Sequence, residues 1–136
     1  MAIQGVGNPI DIAVTGMRAE GLRLKVISNN IANANTTRTP RGGPYRREEL
    51  EVSTDPDTLS GVTIDKIVPD MSTNFTVVRM PGHPDADKNG YVRMPNVNVP
   101  EEMMRMVSAS RAYQANAAVI KRYQDMMDVT TEILQD

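Results

Sequence analysis

The chain has 136 residues, a formal net charge of −2 and no cysteine. The nearly balanced charge gives no global reason to bind nucleic acid or an anionic membrane, and the lack of cysteine excludes disulfides and thiolate metal sites. No run of about 18 apolar residues occurs, so we expect no stable membrane insertion.

The first residues carry neither a basic n-region nor an apolar h-region, so we expect no conventional secretory signal. A helix is then predicted from the Asn8-Pro9 step, because Asn8 can cap the free N–H groups and Pro9 suits the first helical position. Gly16 and Gly21 each cost about 1 kcal/mol of helix propensity, which predicts close neighbours there. The helix should end near residues 33–35, where side chains compete for backbone hydrogen bonds.

Apolar residues in this first helix recur every seven positions, with a second set between them. This repeat is typical of a helix that packs lengthwise against another helix. Its members are Ile10, Ala13, Met17, Leu24, Ile27, Ile31 and Ala34.

The sequence of residues 36–99 differs from that of the predicted helices, and it predicts a small, loop-rich β segment with a thin core. Extended stretches are predicted at residues 45–52, 62–68, 75–80 and 91–94, where β-branched residues lie between turn-forming sequences. Asn89-Gly90 is a candidate hairpin turn.

A group of basic and aromatic residues leads into this segment, namely Arg38, Arg41, Tyr45, Arg46 and Arg47. Such a group could bind phosphate or single-stranded nucleic acid. However, acidic residues follow at once and neutralise it, and arginine is enriched in protein interfaces, where its planar fork pairs with carboxylates. We therefore favour a protein contact loop or a solvated loop, and we expect no nucleic-acid partner.

The sequence Asp-x-Asp-x-Asn-Gly at residues 85–90 matches the first half of a calcium-binding loop. The second half fails, because Asn96 stands where the bidentate acidic ligand is needed and prolines flank the loop. We interpret it as an Asp/Asn turn and expect no metal or other cofactor. A hydrolase that uses His83, the only histidine, with Asp85 or Asp87 is an open alternative, but no nucleophile signature accompanies it.

The last predicted element, residues 100–134, contains no glycine and no internal proline. Pro100 suits a first helical position, and the acidic residues that follow it suit the positive end of a helix. Its seven-residue repeat comprises Met106, Tyr113, Ile120, Met127 and Leu134, with Ala112, Val119, Met126 and Ile133 beside them. A helix of about 50 Å cannot bury such a stripe inside a compact small domain.

We therefore predict a mainly α chain with a small β insertion and two long, coiled-coil-like terminal helices. The predicted units are residues 1–35, 36–99 and 100–136, and the two helices are expected to pack together as one helical domain. Their outer faces should meet other copies of the chain. The candidate subunit-interface residues are Ile10, Met17, Leu24, Ile27, Ile31, Met106, Tyr113, Val119, Ile120, Met126, Met127 and Leu134.

The sequence Asn-Ile-Ala-Asn-Ala-Asn-Thr-Thr at residues 30–37 resembles the N-terminal signature of bacterial flagellar rod and hook axial proteins. The stretches 38–47, 81–92 and 94–98 look like those of the proximal rod members of that family, in the same order. Residues 102–104 and 108–116 complete the match, which covers nearly the whole chain.

The resemblance implies a structural protein of the flagellar basal body and of cell motility, not an enzyme. It implies that the terminal helices form the inner layer of a hollow drive shaft, and that the chain is exported through the type III apparatus and assembles in the periplasm. Implied partners are copies of itself, other rod proteins and the junction protein at the base of the rod. The alternative is a non-flagellar coiled-coil adaptor or scaffold.

Overall fold

A computed structural model describes residues 7–135 and contains two long helices and four strands. The elements are α1 (Pro9–Ala32), β1 (Glu48–Thr54), β2 (Val62–Pro69), β3 (Thr76–Arg79), β4 (Tyr91–Met94) and α2 (Val99–Gln135). This arrangement confirms the predicted fold class. Residues 1–6 and Asp136, which fall within the predicted terminal units, lie outside the described residues.

Helix α1 begins and ends where local chemistry predicts. The Asn8 side chain accepts a hydrogen bond from the Ile10 N–H at 2.9 Å, and Pro9 occupies the first turn. At the other end Asn33 caps the helix, and its N–H donates to the Asn29 carbonyl at 3.1 Å. The end of α1 therefore agrees with the predicted stop near residues 33–35.

Helix α2 begins one residue before the predicted start. The side chain of Asn98 accepts from the Glu101 N–H at 3.3 Å, and its carbonyl accepts from the Glu102 N–H at 2.9 Å. Asn98 thus acts as the cap, a role that the sequence pattern around Pro100 did not reveal.

The two helices pack antiparallel, and the glycines of α1 face α2 as expected. A Cβ built on Gly16 would lie 2.7 Å from Nδ2 of Asn116, and one built on Gly21 would lie 3.7 Å from the Tyr113 ring. The first contact leaves no room for a side chain, whereas the second is an ordinary van der Waals distance. From this pairing, Pro9 lies level with about Tyr123, because both helices advance equally per residue. Helix α2 therefore extends past the start of α1.

The strands form two separate antiparallel pairs, β1 with β2 and β3 with β4. The four predicted extended stretches are thus real elements, but the first starts later, at Glu48, and the third is shorter. The Gly90 N–H donates to the Asp87 carbonyl at 3.0 Å, and Gly90 has a φ of 82°, so the Asn89-Gly90 turn exists. It does not join β3 directly to β4, since a longer loop at residues 80–90 does so.

The β1–β2 pair rests on α1 through a close backbone approach. The Val62 N–H donates to the Thr15 hydroxyl at 3.0 Å. Gly61 has a φ of 89°, and a Cβ there would lie 2.2 Å from the same hydroxyl. The core that results is thin and is built mainly from small or aliphatic side chains: Ala13, Ala19, Val26, Ile27, Leu50, Val92 and Ala109. Within residues 7–135, no helix has the length and apolar character needed to cross a bilayer.

Candidate assembly surface

The predicted interface residues of α1 differ in how far they are buried. Ile27 is buried, and Ile10, Met17, Leu24 and Ile31 are partly covered. Ile27 is therefore covered within the chain, and the other four keep part of their surface exposed.

The predicted interface residues of α2 become more exposed toward its C-terminus. Met106 and Ile120 are partly covered, Tyr113 and Val119 are 38% and 47% exposed, and Met126, Met127 and Leu134 are 66%, 50% and 81% exposed. The reason is geometric, because α1 no longer lies beside α2 beyond about Tyr123. We name residues 125–135 the α2 tip. Each of them is exposed, and the apolar members include Val129 and Ile133 as well.

The outer face of α2, which is the side turned away from α1, is also exposed near the N-terminus of the helix. Met103, Met104 and Val107 are all more than half exposed there. Helix α1 is the one described element that packs against α2. Apolar surface thus remains open both on the outer face and at the tip, which is unusual for a chain that acts alone.

A buried polar cluster holds the middle segment onto this pair of helices. Asn30 of α1 is fully buried, and its side chain both donates to the Glu48 carbonyl and accepts from the Glu48 N–H, each at 2.9 Å. The Tyr45 hydroxyl donates to the same amide oxygen at 2.7 Å. Asn30 also donates to Glu102 of α2, at 3.5 Å. One asparagine therefore connects both helices to the start of β1.

Arg47 forms the charged centre of the cluster. Its guanidinium donates to Glu102 at 2.8 Å, to Asp70 at 2.9 Å and to Glu49, and its backbone N–H donates to Asn96 at 2.7 Å. Arg47 and Asp70 are buried, and the Glu102 side chain is fully so. Among residues 7–135, every buried side-chain polar atom has a hydrogen-bond partner.

The cluster shifts the pKa values of Asp70, Arg47 and Tyr45, the first two toward their charged forms. Hydrogen bonds from Ser72 and then Arg47 outweigh burial and hold the pKa of the Asp70 carboxyl well below its usual range. Burial lowers the pKa of Arg47, but hydrogen bonds to Glu49, Asp70 and Glu102 outweigh it and raise the value above normal. Burial and the nearby Glu48 raise the pKa of Tyr45, which keeps its hydroxyl a proton donor.

The candidate contact-loop residues divide into two groups. Arg38 is exposed and pairs with Asp85, donating at 2.8 Å through its Nε, and Arg41 is exposed. Arg46 is partly covered, and its guanidinium lies 4.2 Å from the centre of the Phe75 ring.

Tyr45 and Arg47 point into the subunit. Arg47 is a correction to the predicted contact loop, because its guanidinium is buried and fully engaged within the chain. Tyr45 keeps a partly exposed ring, but its hydroxyl is bound to Asn29 and Asn30.

The Asp-x-Asp-x-Asn-Gly loop has the contacts of a turn. Asp87 accepts from the N–H groups of Asn89 and Tyr91, each at 2.9 Å. The Thr37 hydroxyl and Arg38 donate to Asp85 and hold its pKa below the usual range. His83 accepts the Asp85 N–H at 3.0 Å, so one of its ring nitrogens serves the loop. In the part of the chain described, no three potential ligands are grouped to hold a metal ion.

Sequence reasoning missed the polar cluster as a site. Asn30, Asn96 and Glu102 fall inside the stretches that carry the family resemblance, which is the one signal that marked them. Asp70 carried no such signal, because an aspartate after a strand is typical of a loop.

Comparisons with known proteins match the two helical ends of the chain. The family described as flagella basal body rod protein matches residues 10–38, and the C-terminal family of flagellar basal body rod FlgEFG proteins matches residues 88–133. The chain is 43% identical to the flagellar basal-body rod protein FlgC of Borreliella burgdorferi, over 96% of this chain and 99% of that protein.

Two further relatives carry the same description. The FlgC protein of Yersinia enterocolitica is 41% identical over 88% of this chain and 91% of its own length. That of Bacillus subtilis is 31% identical over 91% and 95%. The similarity therefore runs through both helices and the segment between them.

Proposed function

Because this chain belongs to the FlgC family of flagellar basal-body rod proteins, we propose that it is a structural subunit of the bacterial flagellar rod. The observation that supports this role best is the α2 tip, whose apolar side chains have no partner within the described chain. Exposed apolar surface of this kind is typical of a contact with another chain.

This geometry supports assembly through the terminal helices. The partly exposed residues of both helices, from Ile10 to Leu134, would meet neighbouring copies, and head-to-tail contacts that do not close produce a filament. Long helices that share interfaces over several turns give the stiffness that a torque-transmitting shaft needs. In this proposal residues 7–35 and 100–135 act as one helical unit, and residues 36–99 form a second.

The proposed partners are copies of the chain, other rod proteins and the junction protein at the base of the rod. The family membership supports a place in the flagellar basal body, and we extend it to assembly in the periplasm after type III export. Arg38, Arg41 and Arg46 stay candidates for contacts with these neighbours. We propose no catalytic role, because the candidate hydrolase residues His83, Asp85 and Asp87 are engaged in turn contacts and an ion pair.

Met127→Asp tests the function directly. In a cell that lacks its own copy of the gene, the unchanged chain should restore swimming and rods in isolated basal bodies. Met127→Asp should restore neither, because a carboxylate would replace an apolar contact between chains. Gln124→Asp, which adds the same charge nearby without removing an apolar side chain, should behave as the unchanged chain does. Normal rods from Met127→Asp would contradict the proposed assembly surface.

A further inference from the structure

One side of the β3–β4 pair carries two arginines among exposed apolar side chains. Residues that lie directly opposite each other in an antiparallel pair point to the same side, and so do alternate residues of one strand. The members on this side form two opposed pairs, Val77 with Arg93 and Arg79 with Tyr91. Both arginines are exposed, and Val77 and Tyr91 are 57% and 44% exposed.

Phe75 brings a third arginine to the same place. The centre of its ring lies 4.2 Å from the guanidinium carbon of Arg46 and 4.9 Å from that of Arg93. These cation–π contacts hold two positive groups beside one ring. Arg46 is fixed further, because its guanidinium donates to the Asp70 carbonyl at 2.9 Å. We name the arginine face by its six residues: Arg46, Phe75, Val77, Arg79, Tyr91 and Arg93.

The three arginines of this face are available to an anion. Among residues 7–135, none of them forms an ion pair within 4.0 Å. Asp85 and Asp87 line the hollow beside Arg93. However, Asp85 is paired with Arg38, and Asp87 accepts backbone N–H groups of its own turn. Like charges that the fold holds together repel each other, so the arginine face gains when a carboxylate binds it.

The α2 tip carries a matching set of carboxylates on one side of the helix. At about 100° per residue, Asp125, Asp128 and Glu132 fall within roughly 60° of the helix circumference. Met127 and Leu134, which continue the repeat that faces α1, lie on the other side. The three acidic side chains are exposed and, in the part of the chain described, they form no ion pair.

The acidic side also has an apolar centre. Val129 lies one turn from both Asp125 and Glu132 and is 55% exposed. Lys121, one turn before Asp125, ends the acidic side. The tip thus presents three negative charges beside Val129, and the arginine face presents three positive charges beside Val77. The two surfaces are complementary in the sign and the number of their charges.

We propose that the acidic side of the α2 tip of one copy binds the arginine face of a second copy. The proposal rests on the proposed function, because it assumes that copies of the chain assemble. The planar guanidinium groups pair with the carboxylates, and the two valines supply an apolar contact between them. The side of α2 that carries Met127 and Leu134 stays available for contacts between helices.

The two surfaces lie too far apart to meet within one chain. Glu102 contacts Arg47, which is next to Arg46, whereas about 40 Å of helix separates Glu102 from Val129. The β3–β4 pair is four residues long and spans about 13 Å, so it does not bridge that gap. A tip must therefore bind the face of another copy. Because the two surfaces differ, the contact can repeat head to tail.

A cross-linking experiment tests the docking. The chain has no cysteine, so Val77→Cys with Val129→Cys places one thiol in each surface. Within one chain the two thiols are beyond disulfide reach. After mild oxidation and digestion, mass spectrometry distinguishes mixed disulfides, which join positions 77 and 129, from disulfides between identical positions. The mixed disulfide should form at least about tenfold faster than either identical one, because docking brings the unlike positions together.

Leu59→Cys with Val129→Cys is the matched control. Leu59 is 65% exposed but lies outside the arginine face, so its mixed disulfide should form no faster than the identical ones. Equal rates for mixed and identical disulfides in the chain with Val77→Cys would overturn the docking.

The docking and the rod function fail separately. If the mixed disulfide is not preferred while the unchanged chain restores rods in cells, the docking fails and the rod function stands. If the mixed disulfide is preferred but the unchanged chain does not restore rods, the function fails and the docking stands. Loss of rods with Arg79→Glu and Arg93→Glu, without a preferred mixed disulfide, would assign the face to a different protein and overturn the pairing between copies.

Charge reversal tests the electrostatic part in the same assay. Arg79→Glu with Arg93→Glu in the double-cysteine chain should slow the mixed disulfide about tenfold, because an attraction becomes a repulsion. Asp125→Lys with Glu132→Lys should slow it by a similar factor. All four changes in one chain should restore the rate, which would also show that the reversed chain folds.

Arg18→Glu with Arg111→Glu is the control for net charge. Both arginines are exposed and lie outside the arginine face, and their reversal changes the net charge by the same amount. This variant should change the rate less than about threefold. A rate that the reversal of Arg79 and Arg93 leaves unchanged, or that the four changes together do not restore, would overturn the proposed pairing.

Discussion

At the scale of single residues, the polar cluster is the least tolerant part of the chain. Glu102 is fully buried in the first turn of α2 and receives hydrogen bonds from Arg47, Arg105 and Asn30. A buried carboxylate costs several kcal/mol in lost hydration, and only good partners offset that cost. The ion pair therefore contributes less to net stability than to position, because it fixes β1 and α2 relative to each other.

Glu102→Gln should lower the free energy of unfolding by about 3 kcal/mol or more, because it leaves the Arg47 guanidinium buried with one carboxylate fewer. Its neighbour provides the control, since Glu101→Gln changes an exposed carboxylate in the same turn and should cost less than about 0.5 kcal/mol. Urea unfolding followed by circular dichroism measures both. Equal effects would show that the cluster does not hold the segment in place.

At the scale of elements, the β1–β2 pair depends on a glycine where it meets α1. Gly61 lies in the left-handed region and touches Thr15, whereas Gly42 has nearly the same φ, 84°, and nothing within 4 Å of a built Cβ. A comparison of substitutions at the two positions therefore distinguishes the cost of backbone strain from the cost of steric overlap. The first must be glycine for both reasons, and the second for strain alone.

Gly42→Ala should cost about 1 kcal/mol, the usual penalty for a left-handed alanine. Gly61→Ala should cost clearly more, because the added methyl collides with the Thr15 hydroxyl and breaks its hydrogen bond to Val62. Thermal unfolding of the two variants under the same conditions gives the comparison. If both melt at the same temperature, the close approach of the hairpin to α1 is not needed for stability.

At the scale of the whole molecule, the chain is a pair of antiparallel helices, of which α2 extends past α1, with a small β segment attached. Most helical stability in proteins comes from packing of an apolar face, and α2 loses that packing beyond about Tyr123. The thin core leaves little else to support the tip. The isolated chain is therefore expected to order its tip only when another chain covers it.

Hydrogen exchange followed by mass spectrometry measures this ordering. In dilute, unassembled chain the amides of residues 128–135 should exchange close to the rate of an unstructured peptide, because no described element packs on that part of the helix. The amides of residues 19–27, at the buried centre of α1, should be strongly protected and serve as the internal reference. Equal protection of tip and centre in the dilute chain would contradict assembly-coupled ordering.

The sequence by itself determined the elements of this protein. The Asn8-Pro9 start, the two seven-residue repeats and the turn residues of the middle segment act over a few positions, so a reader of the sequence can recognise them. The same repeats predicted helices that pack lengthwise, and the motif at residues 30–37 indicated the family. Even so, the Asn98 cap and the strand boundaries were missed, because several nearby residues compete for those roles.

Only the tertiary structure decided which polar residues are buried and where the contact between α1 and α2 ends. Arg47 resembles its neighbours Arg38, Arg41 and Arg46 in sequence, yet it alone of the four is buried. Its partners Asp70 and Glu102 are distant in sequence, and no local pattern predicts that Arg47 contacts them. The free α2 tip likewise follows from the antiparallel alignment of two helices of unequal length. Long-range packing determines both features, because the burial of a charge depends on everything that surrounds it in space.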